Sequence, residues 1–127
     1  MTRIQKSSVV RAWVLDQHGS NPKTRYNLVV EIEDEMCFTL GISSSVDFSN
    51  LSDFQIELPF SSDGTCKTGL SKQSAVCCDW VNEIPTDDCT WCGFVPGKLM
   101  PPIIDALNRF IETSGQASVE DAAKAIK

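Results

Sequence analysis

Four polar side chains lie in predicted β-strands, at their ends or in a loop between them, and their types suit reactions at a phosphate. They are Arg25, Ser43, Asp79 and His18. A guanidinium matches phosphate oxygens with its fork of N–H groups, and hydroxyl, carboxyl and imidazole groups can donate or accept protons. Without a metal, such a set suits RNA cleavage, in which the 2′-hydroxyl is a built-in nucleophile and the enzyme stabilises charge at the crowded phosphorus. Residue types and spacing alone leave this as one possibility among several.

Asp79 belongs to the stretch around which the chain is organised, residues 69–84. The two-residue alternation places residues 75, 77, 79 and 81 on one face of a strand and residues 76, 78 and 80 on the other. Both faces are largely apolar, which predicts a central strand covered on both sides. Burying an unpaired carboxylate is costly, so Asp79 either has a structural partner or is placed there for function.

The remaining elements must bring these side chains together. Alternating apolar residues predict strands at 8–15 and 54–58, a run that is apolar on both sides predicts one at 36–42, and two further strands are predicted at 25–33 and 89–95. His18 lies in a turn-rich loop at 17–24. A helix is predicted from Pro101 to Ser114, and a short second helix over 119–126. Many short strands with one packed terminal helix predict a mainly β fold with a C-terminal helix, forming a small, strongly bent β-barrel.

Size and charge limit the function classes. The 127 residues fit a single domain spanning 1–127. No apolar run approaches the roughly 18 residues of a spanning helix, and no signal-peptide core is present, so we expect a soluble, intracellular protein with no membrane partner. The net charge of −6 argues against a generic nucleic-acid binder. Residues 1–25 are basic, whereas residues 26–66 carry eight acids and no Lys or Arg. This split predicts separate basic and acidic surfaces, or solvated faces that happen to segregate.

The six cysteines offer a different chemistry. Most lie in apolar runs, which favours reduced, buried thiols. Cys89 and Cys92 have the spacing of a zinc site, but a second such pair is missing, and the adjacent Cys77 and Cys78 point to opposite faces of a strand. We therefore predict no metal and no cofactor, with zinc at Cys89 and Cys92 as an open alternative. Gly-rich phosphate loops, GxSxG and HExxH motifs are absent from the sequence.

Five short segments, taken together, resemble one known family. They are 9–16 (Val-Val-Arg-Ala-Trp-Val-Leu-Asp), 23–30 (Lys-Thr-Arg-Tyr-Asn-Leu-Val-Val), Gly41-Ile-Ser-Ser44, 68–84 and 93–111. Over residues 8–112 the chain resembles the MazF/PemK family of bacterial toxin endoribonucleases. The best match is residues 68–84, which are similar to the family's Gly-Leu-x-x-x-Ser segment and the strand that follows.

This resemblance implies an SH3-like barrel with a closing helix, a two-fold homodimer, and a cytoplasmic toxin that cuts single-stranded RNA without a metal and is neutralised by a partner antitoxin. It makes Arg25 the phosphate-stabilising or acid–base residue and Ser43 its hydroxyl partner. Asp79 matches an acid that some members use, and His18 lies near a loop histidine found in some members. The residues predicted to bind the substrate are Lys23, Arg11, Ser44 and Lys72.

Several positions depart from the family pattern. Tyr26 stands where the family has proline, Ser43 where it has threonine, and Cys77 where some members have arginine. Two alternatives therefore stay open: a catalytically degenerate binding or regulatory module with this fold, and a gyrase-poisoning toxin of the same fold. Residues 116–127, predicted as a helical tail, lie beyond the family's usual end.

Overall fold

The computed structural model describes residues 4–114 of the chain. These residues form six β-strands and one α-helix, with single turns of 3-10 helix at Thr86–Asp88 and Gly97–Leu99. The elements are β1 (Ser8–Val14), β2 (Lys23–Glu33), β3 (Met36–Ser43), β4 (Gln55–Leu58), β5 (Ser74–Pro85), β6 (Thr90–Phe94) and α1 (Met100–Ser114). Most of their ends lie within two residues of the predicted ones, although residues 69–73 form a loop before β5. The predicted helix at 119–126 and the tail at 116–127 lie outside the described residues.

The strands form one antiparallel sheet in the order β4-β5-β3-β2-β1-β6. Asp34 and Glu35 join β2 to β3 with φ angles of 52° and 63°, the two positive values of a type I′ hairpin turn. The mainly β fold with a C-terminal helix is therefore confirmed. The sheet is open, with β4 and β6 as its edges, and the closed SH3-like barrel stays a prediction.

One face of the sheet and α1 enclose the main core. Its fully buried side chains include Leu28, Leu40 and Val76 from the central strands. Ile103, Leu107 and Ile111 from α1 pack against them with the four-residue spacing of a single helical face. Burying each such side chain contributes about 1.5–3 kcal/mol to stability, so the packing of α1 holds this face of the sheet in place.

A β-bulge of three residues interrupts β5 where it pairs with β3. Leu40 pairs with Val81 and Gly41 pairs with Cys77, so residues 78–80 have no opposite residue on β3. The strict alternation predicted for this strand is wrong at this point, because Val81 packs against the main core together with Cys78. The bulge places the Trp80 ring against Gly41.

No helix within residues 4–114 is long and apolar enough to cross a membrane.

Candidate functional site

A cavity of about 370 Å³ opens where β2 begins, β3 ends and β5 begins. It is lined by residues 23–26, 42–45, 70–72, 74 and 80. Its charged side chains are Lys23, Arg25 and Lys72, and no Asp or Glu of the described chain lines it. In a protein with a net charge of −6, this is a local concentration of positive charge. Such a cavity favours an anionic ligand.

Arg25 is held in one orientation by three contacts. Its Nε donates to the carbonyl oxygen of Val14 at 3.4 Å, and its Nη2 donates to the carbonyl oxygen of Asn21 at 2.6 Å. The guanidinium carbon lies 5.7 Å from the centre of the Trp80 ring, within the range of a cation–π contact. These bonds use two of the five guanidinium N–H groups. A pre-positioned fork of this kind loses less entropy when it binds an anion.

The loop that presents Asn21 to Arg25 is organised by Asp16. The Asp16 carboxylate accepts hydrogen bonds from the backbone N–H groups of His18 and Ser20, both at 2.9 Å, and from Nδ2 of Asn21 at 3.0 Å. The backbone hydrogen bond from Ser20, opposed by partial burial and helped by the bonds from Asn21 and His18, lowers the pKa of Asp16 to about 2. Asp16 therefore acts on the cavity through the loop, as a positioning residue.

The lowered pKa predicts how this loop responds to acid. Because the folded-state pKa lies below the ordinary value of 3.8, the ionised carboxylate stabilises the loop above that value, and its contribution is lost as the pH falls towards 2. We expect the amide signals of His18 and Ser20 in an NMR titration to move with a midpoint near pH 2 while that of the buried Leu40 in β3 stays fixed. A midpoint near 3.8 would show that the carboxylate is not bonded in solution.

Hydroxyl groups form much of the remaining wall. Ser43, at the end of β3, accepts a hydrogen bond from the N–H of Ser45 at 3.0 Å through its Oγ. Since a hydroxyl also has a hydrogen to donate, Ser43 can accept this bond and still donate to a ligand. The other lining hydroxyls are those of Thr24, Tyr26, Ser44, Ser45, Ser71 and Ser74. Together with the cations, these donors suit the oxygens of a phosphate.

The cavity brings together five of the eight predicted site residues. Arg25, Ser43, Lys23, Ser44 and Lys72 line it.

The other three predicted residues lie elsewhere. His18 is exposed in the loop between β1 and β2, and Arg11 is exposed on β1 in contact with Cys92. Asp79 lies in the β5 bulge and does not line the cavity.

Asp79 is partly buried in an unusual setting. Its Oδ1 is buried and has no hydrogen-bond partner within residues 4–114. Burial, and after it the Asp79 charge, raises the pKa of the Cys77 thiol to about 11. Burial, and after it the negative charges that Cys77 and Asp79 carry when ionised, raises the pKa of the neighbouring Cys78 thiol to about 12. Cys77 and Cys78 are therefore protonated, inert thiols.

All six cysteines are free. In the part of the chain that the structure describes, no group of three or more His, Cys, Asp or Glu side chains is placed to hold a metal ion.

Sequence motifs do not identify two of the residues that support the cavity. Asp16 acts by holding the loop that carries Asn21, and the sequence feature that could have indicated this role is its position just before a turn that contains Gly and Ser. Trp80 reads as a core residue of a regular strand, and only the bulge brings its ring beneath Arg25.

Comparisons with known proteins agree with this architecture. The chain is similar to the solved structure of the Mycobacterium tuberculosis toxin MazF-mt6, with a TM-score of 0.59 and 18% identity, covering 81% of this chain and 95% of that one. It is also similar to a MazE-MazF crystal structure from Deinococcus radiodurans, with a TM-score of 0.61 and 13% identity, covering 92% of this chain and 100% of that one. No protein-family model and no curated protein matches the sequence. The chain therefore has the fold of the MazF toxins, and the resemblance seen in the sequence is confirmed at that level.

Proposed function

We propose that this protein is the toxin of a type II toxin–antitoxin system and cleaves single-stranded RNA at specific short sequences without a metal ion. The observation that carries the proposal is the cavity lined by Lys23, Arg25 and Lys72 among hydroxyl groups, with no described acid in its wall. The fold adds support, because the two similar structures are MazF proteins. RNA supplies both the anion that the cavity favours and the hydroxyl that reacts.

The proposed reaction needs little from the protein beyond position and charge. The 2′-hydroxyl of the substrate gives its proton to a general base and its oxygen attacks the adjacent phosphorus. The bond from phosphorus to the 5′-oxygen breaks, that oxygen takes a proton from a general acid, and the products are a 2′,3′-cyclic phosphate and a 5′-hydroxyl. Arg25 binds the non-bridging oxygens, whose charge grows in the transition state. Ser43 donates a hydrogen bond to the same phosphate, and Lys23, Ser44 and Lys72 hold the flanking backbone.

We propose a role for each candidate residue in the proton transfers, and single variants test these roles. Arg25 is the acid–base candidate that lines the cavity, and His18 belongs to the loop that carries Asn21. Asp79 and Arg11 are proposed to act from outside the cavity lining, Asp79 as a proton acceptor and Arg11 as an RNA contact. Loss of cleavage in His18→Ala or Asp79→Asn, with unchanged stability, would support the corresponding role.

The same proposal covers partners and assembly. The Deinococcus structure is a complex of MazE with MazF, and we propose that an antitoxin likewise binds this chain. We also propose that the chain forms a two-fold homodimer and acts in the cytoplasm. We further propose that residues 8–112 of the single domain complete an SH3-like barrel. The loop after β4 contributes to this closure, because the N–H of Phe94 on β6 donates to the carbonyl oxygen of Lys67 at 2.8 Å.

A second function is favoured by one observation. Neither His18 nor Asp79, the predicted imidazole and carboxylate, lines the cavity. A cavity that has cations and hydroxyls but no such proton acceptor is suited to binding RNA without cutting it. The alternative is therefore a binding or regulatory module with the same fold.

Incubation of the purified protein with a long single-stranded RNA in excess EDTA separates these functions. We expect cuts at a short recurring sequence that leave 5′-hydroxyl ends, with a parallel preparation of Arg25→Ala as the control for contaminating nucleases. Intact RNA that is nonetheless retained in a gel-shift assay would support the binding module. Intact RNA without retention would contradict both functions.

A further inference from the structure

A second cavity, which we call the Trp13 groove, has a volume of about 610 Å³. It adjoins the cationic cavity, because Trp13 and Val14 pair with Thr24 and Lys23 across β1 and β2. One wall is residues 13–15 at the end of β1, and the other is residues 82–85 of β5 with Asp88. Pockets that enclose small ligands span roughly 300–1,000 Å³, so this groove admits more than one side chain. None of its residues lines the cationic cavity.

The β1 wall of the groove is apolar and exposed. Trp13 is 68% exposed and Leu15 is 47% exposed, the two highest values among the large hydrophobic side chains of the described residues. Tryptophan is one of the residue types enriched among the few that carry most of the binding energy of protein interfaces. Covering an apolar wall of this kind with a partner removes it from water and so favours binding.

The opposite wall is acidic and well fixed. Glu83 and Asp88 are exposed carboxylates, and no Lys or Arg of residues 4–114 lines the groove. Nδ2 of Asn82 donates to Oδ1 of Asn27 at 3.1 Å, and Asn27 is fully buried. This bond ties the acidic wall to the centre of the sheet, so the groove needs little rearrangement to receive a partner.

Charge selects among the possible occupants. RNA is disfavoured because its phosphates would face Glu83 and Asp88. A two-fold contact between copies of this chain, centred on the groove, would place these carboxylates against those of the second copy. A Lys or Arg side chain fits both walls, since its cationic head pairs with the carboxylates and lies over the Trp13 ring while its stem packs on apolar surface.

We propose that the Trp13 groove binds a partner protein through a short segment that carries Lys or Arg beside aliphatic residues. This inference goes beyond RNA cleavage and holds even if the chain cuts no RNA.

Peptide titration of the full-length, isotope-labelled protein tests the proposal. The probe is a synthetic hexapeptide of alternating Lys and Leu, and the comparison is a hexapeptide of alternating Glu and Leu. We expect the Lys peptide to shift the amide signals of residues 13–15 and 82–88, and the Glu peptide to leave them unchanged. Glu83→Lys with Asp88→Lys should weaken binding at least about tenfold, and Trp13→Ala should weaken it similarly.

A matched variant separates the groove from general charge attraction. Asp53→Lys with Glu112→Lys changes the net charge by the same amount at exposed positions that do not line the groove. It should alter binding by less than about threefold at physiological ionic strength. Circular dichroism verifies the fold of each variant, and Glu83→Gln with Asp88→Asn replaces any charge reversal that fails to fold.

Three results would overturn the proposal. The first is an equal loss of peptide binding in both charge-reversal variants. The second is a set of shifts that lies outside the groove, or shifts of residues 82–88 on the acidic wall when a single-stranded RNA oligonucleotide is added. The third is a dimer in sedimentation that Glu83→Lys with Asp88→Lys dissociates, which would assign the groove to a second copy of this chain.

Discussion

Arg25→Ala is expected to lower the rate of RNA cleavage by about 100- to 1,000-fold while leaving the fold intact. Removal of one pre-positioned donor to a transition-state oxyanion typically has an effect of this size. Arg25 is only half-buried, and its bonds go to the carbonyl oxygens of Val14 at the end of β1 and of Asn21 in the loop that follows. Its loss therefore removes the guanidinium from the cavity without opening the core. The measurement is the rate at saturating RNA, with the unfolding midpoint in urea as the test of folding.

Two further variants make this result specific. Arg11→Ala removes an exposed arginine of β1 that does not line the cavity, so it should retain the maximal rate and alter mainly the affinity for RNA. Arg25→Lys keeps the charge but cannot reproduce the fork that bonds two carbonyl oxygens and lies over the Trp80 ring, so it should recover little activity. Equal cleavage by Arg25→Ala and the wild type would remove this cavity from the reaction.

Much of the scaffold follows from local pattern. Period-two alternation or an apolar run between turn residues predicted the strands, and the paired prolines with a four-residue apolar repeat predicted α1, because these signals depend on neighbours in sequence. The resemblance to MazF proteins then placed Arg25 and Ser43 at strand ends that meet in space. Their meeting depends on the antiparallel pairings of β3 with β2 and β5, which the alternation alone does not specify.

The missed features are those that a regular pattern cannot encode. Three extra residues in β5 reverse the faces of Trp80 and Val81, and a bulge of this kind leaves no period-two signal. Asp16 supports Arg25 through a loop carbonyl, an indirect effect that residue type does not reveal. The predicted acidic surface was assigned to residues 26–66, whereas the carboxylates of the Trp13 groove come from the end of β5 and the turn after it.

Gly41→Ala is expected to destabilise the protein by about 3 kcal/mol, at the upper end of the usual cost of overpacking. A Cβ at this position would overlap three carbon atoms of the Trp80 ring. Trp80 is only 7% exposed, so its ring cannot turn aside without displacing buried neighbours or entering solvent. Because the Arg25 guanidinium lies over the same ring, we also expect slower RNA cleavage at temperatures where the variant is folded. Urea unfolding followed by far-ultraviolet circular dichroism gives the change in stability.

Controls for this prediction come from a second glycine and from the ring itself. A Cβ at Gly97 would meet nothing within 4 Å, so Gly97→Ala should change the free energy of unfolding by less than about 0.5 kcal/mol. In a Trp80→Leu background the overlap is relieved, and adding Gly41→Ala should then cost at least about 1 kcal/mol less than it does in the wild type. An undiminished cost in that background would place the clash in the sheet backbone and not in the ring. In that case Gly41→Ala would act on the pairing of β2 with β3 and not on the Trp80 ring, so any slower cleavage could not be assigned to the contact between Trp80 and Arg25.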